Sequence, residues 1–220
     1  MRITKIEPQK KRPGRKNIYA EGQFIAGVSD ETLLRLALRT GDELGPDTLK
    51  ALQRTEELFH AKAAALRFLS TRPRTEREMR DKLREKEFAE DEISRTIDEL
   101  KASGILNDLE FARAYIRDAL ALKPLGRIAI ARKLLLLGVA KDITTQTLDE
   151  AFAEVDTEAM ALDAGRRFLR KTRGTSRTND PKKLRARLTS FLLRRGYSWN
   201  VAGPVVRLLI DDEAPDDKRE

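Results

Sequence analysis

The sequence predicts a mainly α-helical protein: tandem three-helix repeats in an elongated, curved array, preceded by a small β-hairpin or meander. Three observations favour this fold class. Apolar residues follow helical spacing almost throughout from Ser29 onward. The pattern of residues 83–99 recurs without a gap at 134–150, and a weaker third copy follows near 192–206. Only 5% of the residues are aromatic, too few for a large β-sandwich or barrel core.

The first 28 residues favour strands. Short alternating apolar runs, "ITKI" and "NIYAEGQFIAGV", predict two or three strands, with a hairpin turn at Glu21-Gly22. The intervening "QKKRPGRK" contains five basic residues, and Pro13-Gly14 prevents a helix through its centre. We interpret it as a basic loop, either solvated or in contact with phosphate.

Two helices should precede the repeats. Ser29 is a suitable N-cap for a short helix that Gly41 would end in a left-handed conformation. A second helix should begin near Pro46 and extend to Leu69, either as one long helix or with a break near Arg54.

Each repeat then divides into three helices with recognisable boundaries. Thr75 and Glu78 form the T-x-x-E pattern of a capping box in the first repeat. In the second repeat, Gly126 should open the middle helix and Gly138 should end it. In the third repeat, the corresponding boundaries are Asp180-Pro181 and Gly196, and Pro204 should kink the last helix or mark its late start.

The predicted domains follow from these boundaries. They are an N-terminal β element with short helices at 1–54, three-helix repeats at 55–106, 107–156 and 157–210, and an acidic disordered tail at 211–220. Such small units bury little surface alone, so they should stack on their neighbours.

Composition restricts the class of function. The net charge of +8 should draw the chain to polyanions such as nucleic acid or an acidic protein surface. The absence of cysteine excludes disulfides, thiolate catalysis and cysteine-based metal sites. Because no apolar run has the length of a membrane span and the N-terminus lacks a signal-peptide pattern, we expect a cytoplasmic protein without membrane contact.

Candidate catalytic residues are scarce. His60, the only histidine, lies among apolar residues of a helix, where a structural role is expected. The acidic pairs Asp98-Glu99 and Asp149-Glu150 occupy matching repeat positions and suit ion-paired helix surfaces. No phosphate-binding or dinucleotide-binding motif occurs. We therefore expect no enzymatic activity, no cofactor and no metal.

The strongest candidate site is a run of basic residues opposed only by Asp180. Arg166 and Arg170 share one helix face with Arg173, and Lys183, Arg187 and Arg194 share another, so two helices would border a cationic groove for nucleic acid or an acidic partner. A second basic cluster, from Arg72 to Arg80, is partly neutralised, and we interpret it as structural. The full candidate set is Arg166, Arg167, Arg170, Lys171, Arg173, Arg177, Lys182, Lys183, Arg185, Arg187, Arg194 and Arg195.

Three segments resemble motifs of the RecX family, regulators of the RecA recombinase. "RPRTEREMRDKL" is similar to a family pattern R-x-x-[ST]-x-x-E-[LM]-x-x-K-L, and "GILNDLEFA" is similar to G-x-L-N-D-x-x-F-A. "LGRIAIARKLLLLGV" resembles G-x-x-x-I-x-x-x-L-x-x-[KR]-G-[IV]. Two positions depart from the patterns: Leu137, where a basic residue commonly precedes the glycine, and Glu87, where the first copy commonly has glycine.

The resemblance implies a non-enzymatic inhibitor that binds the RecA–DNA filament and damps recombination and ATP hydrolysis. The expected partners are therefore the RecA filament and, weakly and without sequence preference, single-stranded and duplex DNA, with the protein acting as a monomer. Two alternatives remain open. One is a helix-turn-helix-like, sequence-specific repressor, and the other is a scaffold that binds an acidic protein and no nucleic acid.

Overall fold

A computed structural model describes residues 1–122, 124–173 and 180–211, without the side chains of Arg173 and Asp211. Arg177 and the predicted acidic tail beyond Asp211 lie outside the described residues. The chain divides into two compact units, Met1–Leu106 and Asn107–Glu220. The boundary between them falls inside "GILNDLEFA".

The described residues form three strands and ten helices. The strands are β1 (Ile3–Pro8), β2 (Arg15–Ala20) and β3 (Gln23–Ser29). The helices are α1 (Asp30–Arg35), α2 (Pro46–Leu69), α3 (Glu76–Arg84), α4 (Glu90–Ala102), α5 (Asp108–Leu122), α6 (Arg127–Leu136), α7 (Lys141–Phe152), α8 (Thr157–Arg173), α9 (Pro181–Arg194) and α10 (Trp199–Asp211). The predicted fold class, tandem three-helix groups after a small β element, is confirmed.

The strands form one antiparallel sheet in the order β1-β2-β3. Glu21 and Gly22 connect β2 to β3 and both have positive φ, 51° and 79°. Two left-handed residues give the turn that matches the twist of paired strands, so the hairpin predicted at this position is confirmed. Arg15 and Lys16, which we had assigned to the basic loop, belong to β2.

Helix α1 is shorter than predicted, whereas α2 takes the longer of the two predicted forms. Ser29 caps α1 as expected, because its side chain accepts a hydrogen bond from the N–H of Thr32. The helix ends at Arg35, and the left-handed residue that follows is Ala37, not Gly41. Helix α2 is continuous through Arg54 for 24 residues.

The length of α2 allows it to serve two hydrophobic clusters of the first unit. Its first half contributes Leu52 to a cluster with Ile18 and Val28 of the sheet. Its second half contributes Ala64 and Ala65 to a cluster with buried residues of α3 and α4. One helix thus connects the sheet to the first three-helix group, α2–α4.

A polar network reinforces that connection. The carboxylate of Glu56 on α2 accepts hydrogen bonds from the backbone N–H of Ser29 at 2.6 Å and from the Arg15 guanidinium at 3.1 Å. Burial alone would raise the pKa of Glu56, but the hydrogen bonds from Ser29 and Thr32 and the charge of Arg15 outweigh burial and lower it. The site therefore favours an ionised Glu56.

The same turn joins the second and third helices of every group. After each second helix, one left-handed residue donates its N–H three residues back, and the next residue donates five residues back, which is the Schellman arrangement. The left-handed residues are Glu87 (φ 63°), Gly138 (φ 93°) and Gly196 (φ 86°). Glu87 therefore occupies a conformation that suits glycine.

In the second unit, the groups α5–α7 and α8–α10 each have a buried cluster and meet at a backbone contact. Gly126 donates its N–H to the carbonyl of Arg195 at 2.8 Å, and Ile128 donates to the carbonyl of Gly196 at 3.1 Å. The buried Tyr197 donates its hydroxyl to the carbonyl of Pro124 at 3.2 Å. These bonds fix the third group against the second.

Candidate nucleic-acid interface

The candidate site lies on the first two helices of the third group. Asp180 caps α9 as predicted, because its carboxylate accepts the N–H of Lys182 at 2.9 Å, and Pro181 occupies the first helical position. Helix α10 begins at Trp199, ahead of Pro204, so the predicted late start does not occur.

Aromatic and aliphatic packing fixes α8 against α9. The rings of Phe168 on α8 and Phe191 on α9 stack with their centroids 4.6 Å apart. Leu169, Leu188 and Leu192 are buried in the same cluster. Because the apolar side chains point inward, the basic residues of the two helices are left on the outside.

We define the α8–α9 basic surface as the exposed basic residues of these two helices. Arg195 follows α9 and differs from them: it is half-buried, with its guanidinium 5.1 Å from the centre of the Phe191 ring. The structure does not describe the side chain of Arg173 or any part of Arg177. The surface comprises Arg166, Arg167, Arg170, Lys171, Lys182, Lys183, Arg185, Arg187 and Arg194.

Carboxylates of the described residues pair with part of this surface. Arg167 pairs with Asp163 at 2.7 Å, and Lys183 lies 3.9 Å from Asp180. Within the described parts of the chain, Arg166, Arg170, Lys182 and Arg194 have no carboxylate within 4.0 Å. Unneutralised, exposed cations on adjacent helices are the groups that contact phosphates or acidic protein surfaces.

The basic residues of α9 lie on two flanks. Lys183, Arg187 and Arg194 recur at spacings of one and two helical turns and therefore share a face. Arg185 instead lines a groove that α9 forms with α10. The predicted set is thus divided, with Arg185 apart from the other three.

The basic cluster from Arg72 to Arg80 serves local structure, as we interpreted it from the sequence. Arg72 pairs with Glu78 at 2.6 Å, and this contact lowers the pKa of Glu78. Arg80 pairs with Glu76 and with Glu90 of the next helix. These cations hold α3 in place, since they are engaged by carboxylates of the same group.

The other candidate residues also have structural contacts. Nε2 of His60 lies 3.6 Å from the Glu56 carboxylate. Glu99 pairs with Lys62 at 3.1 Å, and Asp149 pairs with Arg127 at 2.5 Å, which confirms the predicted ion pairing for one residue of each acidic pair. Among the residues that the structure describes, no three His, Asp or Glu side chains are grouped as metal ligands would be.

One flank of α9 was not among the predicted site residues. Trp199 is 64% exposed, and it lines the groove with Arg185 and Arg207. The available signal was a lone tryptophan at the start of a helix in a basic protein. Recognising the groove also requires the packing of α9 against α10, which the sequence pattern does not give.

None of the helices within the described residues has the length and apolarity that crossing a membrane requires. A small sheet, consecutive three-helix groups and a basic third group define the class: a tandem three-helix-repeat protein with an exposed basic surface on its third group. The comparisons with known proteins then specify the family. This chain belongs to the RecX family of regulatory proteins.

Four family models match in order along the chain. The N-terminal domain of regulatory protein RecX matches residues 1–45, and the first, second and third three-helix domains of RecX match residues 61–100, 107–148 and 156–206. All of the α8–α9 basic surface therefore falls within the third matched domain.

Relatives and a solved structure agree over nearly the whole chain. A regulatory protein RecX of Clostridium perfringens (strain 13 / Type A) is 32% identical over 214 residues, which cover 96% of this chain and 98% of the relative. A RecX of Clostridium acetobutylicum is also 32% identical, with 96% and 97% covered. A crystal structure of regulatory protein RecX has a TM-score of 0.79 at 25% identity, covering 96% of this chain and 99% of that one.

Proposed function

We propose that this protein inhibits the RecA recombinase by binding the RecA–DNA filament, and that it damps recombination and ATP hydrolysis without catalysing a reaction. Family membership supports a regulatory role. The observation that carries the proposal is the α8–α9 basic surface, where Arg166, Arg170 and Arg194 are exposed without neutralising carboxylates among the described residues. A filament of protein on DNA offers both phosphates and acidic side chains to such a surface.

The proposed contact is electrostatic and weakly selective for sequence. Lysine and arginine side chains on helix faces suit backbone phosphates, which are the same at every sequence. Each neutralised phosphate releases condensed counterions, so affinity should fall steeply with added salt. We propose a monomer that acts in the cytoplasm without cofactor or membrane, contacting single-stranded and duplex DNA weakly.

The direct test is the rate of ATP hydrolysis and of strand exchange by RecA on single-stranded DNA, with this protein added below the RecA concentration. We expect both rates to fall, and the effect to weaken as salt rises. Unchanged rates at low salt would contradict the proposal. A pull-down of RecA with and without DNA would show whether the filament or free RecA is the target.

A helix-turn-helix-like repressor is the second candidate, and one observation favours it. Helices α9 and α10 are joined only by residues 195–198, which resembles the short turn before a recognition helix. A repressor would prefer one duplex sequence strongly over random duplex and single strands, typically by roughly 10³-fold or more. Binding of random single-stranded, random duplex and genomic duplex DNA across salt concentrations separates the two candidates.

A further inference from the structure

Trp199 is placed unusually for a tryptophan. It is the only tryptophan in the chain and the first residue of α10, yet 64% of its surface is exposed. Tryptophan side chains contribute most when their large apolar faces are covered. An exposed indole beside a groove therefore indicates a surface that a ligand covers.

The groove lies between α9 and α10 and has a volume of about 480 Å³. None of the described residues that line it carries a carboxylate. An added Cβ at Gly203 would meet no atom within 4 Å, so this part of the wall is open. The lining includes Arg185 and Thr189 from α9 and Trp199, Asn200, Gly203 and Arg207 from α10.

We propose that this groove binds one unstacked base of single-stranded nucleic acid. The face of the indole can stack on any base, and such stacking does not depend on sequence. Arg185 and Arg207 provide cations for the phosphates on either side of the base, and the Asn200 amide can both donate to and accept from a base edge.

The lining combines the apolar side chains of Trp199, Pro204 and Val206 with the guanidinium groups of Arg185 and Arg207, and this combination favours a nucleotide over an apolar peptide. The Arg207 guanidinium, the Thr189 hydroxyl and the Asn200 amide would lose hydration beneath an apolar side chain, whereas a nucleotide offers them hydrogen-bond partners. Duplex DNA is excluded as the preferred ligand because its bases are paired and stacked and cannot cover the indole. The ligand is therefore a single strand.

This inference deepens the DNA-binding part of the proposed function, but it does not depend on RecA. Arg185 belongs to the α8–α9 basic surface and also lines the groove. A strand held by its phosphates on that surface would thus have a stacking site at its border. The basic surface supplies attraction, and Trp199 supplies the preference for single strands over duplexes.

Trp199 itself provides the readout, since no second tryptophan contributes fluorescence. Its emission is titrated at low salt with a thymidine oligonucleotide, a duplex of equal length and inorganic polyphosphate. We expect saturable quenching by the single strand and little by the duplex or polyphosphate, because a phosphate contact alone does not stack on indole. Equal quenching by polyphosphate would overturn the proposal.

Affinity for the same oligonucleotide is then measured by anisotropy of a labelled strand. Trp199→Ala should weaken binding by about fivefold or more, and Trp199→Phe should weaken it less because a stacking face remains. The control Phe24→Ala removes another exposed aromatic ring, in the first unit, and should leave affinity unchanged. A double variant that combines Arg185→Ala with Arg207→Ala should bind the oligonucleotide more weakly than a control double variant that combines Lys50→Ala with Arg54→Ala.

Unchanged affinity of Trp199→Ala for the single strand would overturn the inference. It would also be overturned if Trp199→Ala changed only the inhibition of RecA, because the groove would then be a protein contact. The base site and the inhibition of RecA can be contradicted independently of each other. Quenching of Trp199 by single strands without any effect on RecA would contradict the proposed function and leave the base site standing.

Discussion

Gly126 and Gly196 contact each other through their backbones where the second three-helix group meets the third. An added Cβ at Gly126 would lie 2.5 Å from the amide nitrogen of Tyr197 and closer still to the carbonyl group of Gly196. An added Cβ at Gly196 would overlap Ala129 in the same way. The two groups can approach this closely only because neither position carries a side chain.

This contact predicts that Gly196→Ala destabilises the protein by about 2 to 4 kcal/mol, because the change adds a steric overlap to left-handed backbone strain. Gly104→Ala is the matched control. Gly104 has a similar φ, 71°, but a Cβ there would meet nothing within 4 Å, so about 1 to 2 kcal/mol is expected from strain alone. Urea unfolding followed by circular dichroism measures the free energy of unfolding of both variants. Equal losses of stability would contradict the role of the contact between Gly126 and Gly196.

The positive φ of Glu87 predicts that a glycine at this position stabilises the protein. It stands at φ 63° where the other two groups have glycine, and it is exposed. Glu87→Gly should therefore raise the free energy of unfolding by about 1 kcal/mol, since glycine carries no penalty in that conformation. Glu85→Gly, two residues earlier at φ −59°, relieves no strain and should destabilise. Thermal unfolding measures both variants. A lower midpoint for Glu87→Gly than for Glu85→Gly would contradict the strain assigned to Glu87.

The lowered pKa of Glu56 predicts that the stability of the first unit depends on pH. Because its pKa is lowered in the folded state, its contribution to stability is present above the unfolded value of 4.5 and is lost as pH falls through the folded pKa. Glu56→Gln should cost about 2 kcal/mol at pH 7, by leaving Arg15 without its ion-pair partner.

The difference in unfolding free energy between Glu56→Gln and the original protein should shrink as pH falls below 4.5. Glu57→Gln, the neighbouring position, is the control and should show little effect at any pH, since Glu57 bonds only to Gln53 among the described residues. A difference that is constant from pH 7 to pH 3 would show that the ionised carboxylate of Glu56 is not what stabilises the network.

Local features of the fold were predictable from the sequence because their causes are local. The caps at Ser29, Thr75 and Asp180 depend on a side chain within three residues of the N–H groups that it accepts. The end of α1 was not predictable in this way. Its left-handed residue is Ala37, and only the packing of the first unit, where Leu33 is buried and Leu36 partly buried, positions that turn.

Contacts between distant residues could not be predicted. Arg15 and Glu56 are 41 residues apart, and nothing near either residue indicates its partner. The groove at Trp199 likewise requires α9 and α10 to pack together. For the candidate site, the list of basic residues followed from charge and their faces from helical spacing, whereas the groove that Arg185 lines required the packing of α9 with α10.

The proposed role of the α8–α9 basic surface in inhibiting RecA is tested by reversing its charge. Arg166, Arg170, Lys183 and Arg187 are replaced together by glutamate, and RecA ATP hydrolysis on single-stranded DNA is measured. In the control variant, Lys50, Arg54, Arg67 and Lys86 of the first unit, all exposed, are replaced by glutamate, so the change in net charge is the same. Circular dichroism confirms that both variants are folded.

We predict that the α8–α9 variant needs a concentration higher by about tenfold or more for half-inhibition, because like charges now face the DNA and the acidic surface of the filament. The control should stay within about twofold of the original protein, since only the overall charge has changed. Inhibition of RecA by the α8–α9 variant at the original concentration would contradict the proposed role of this surface.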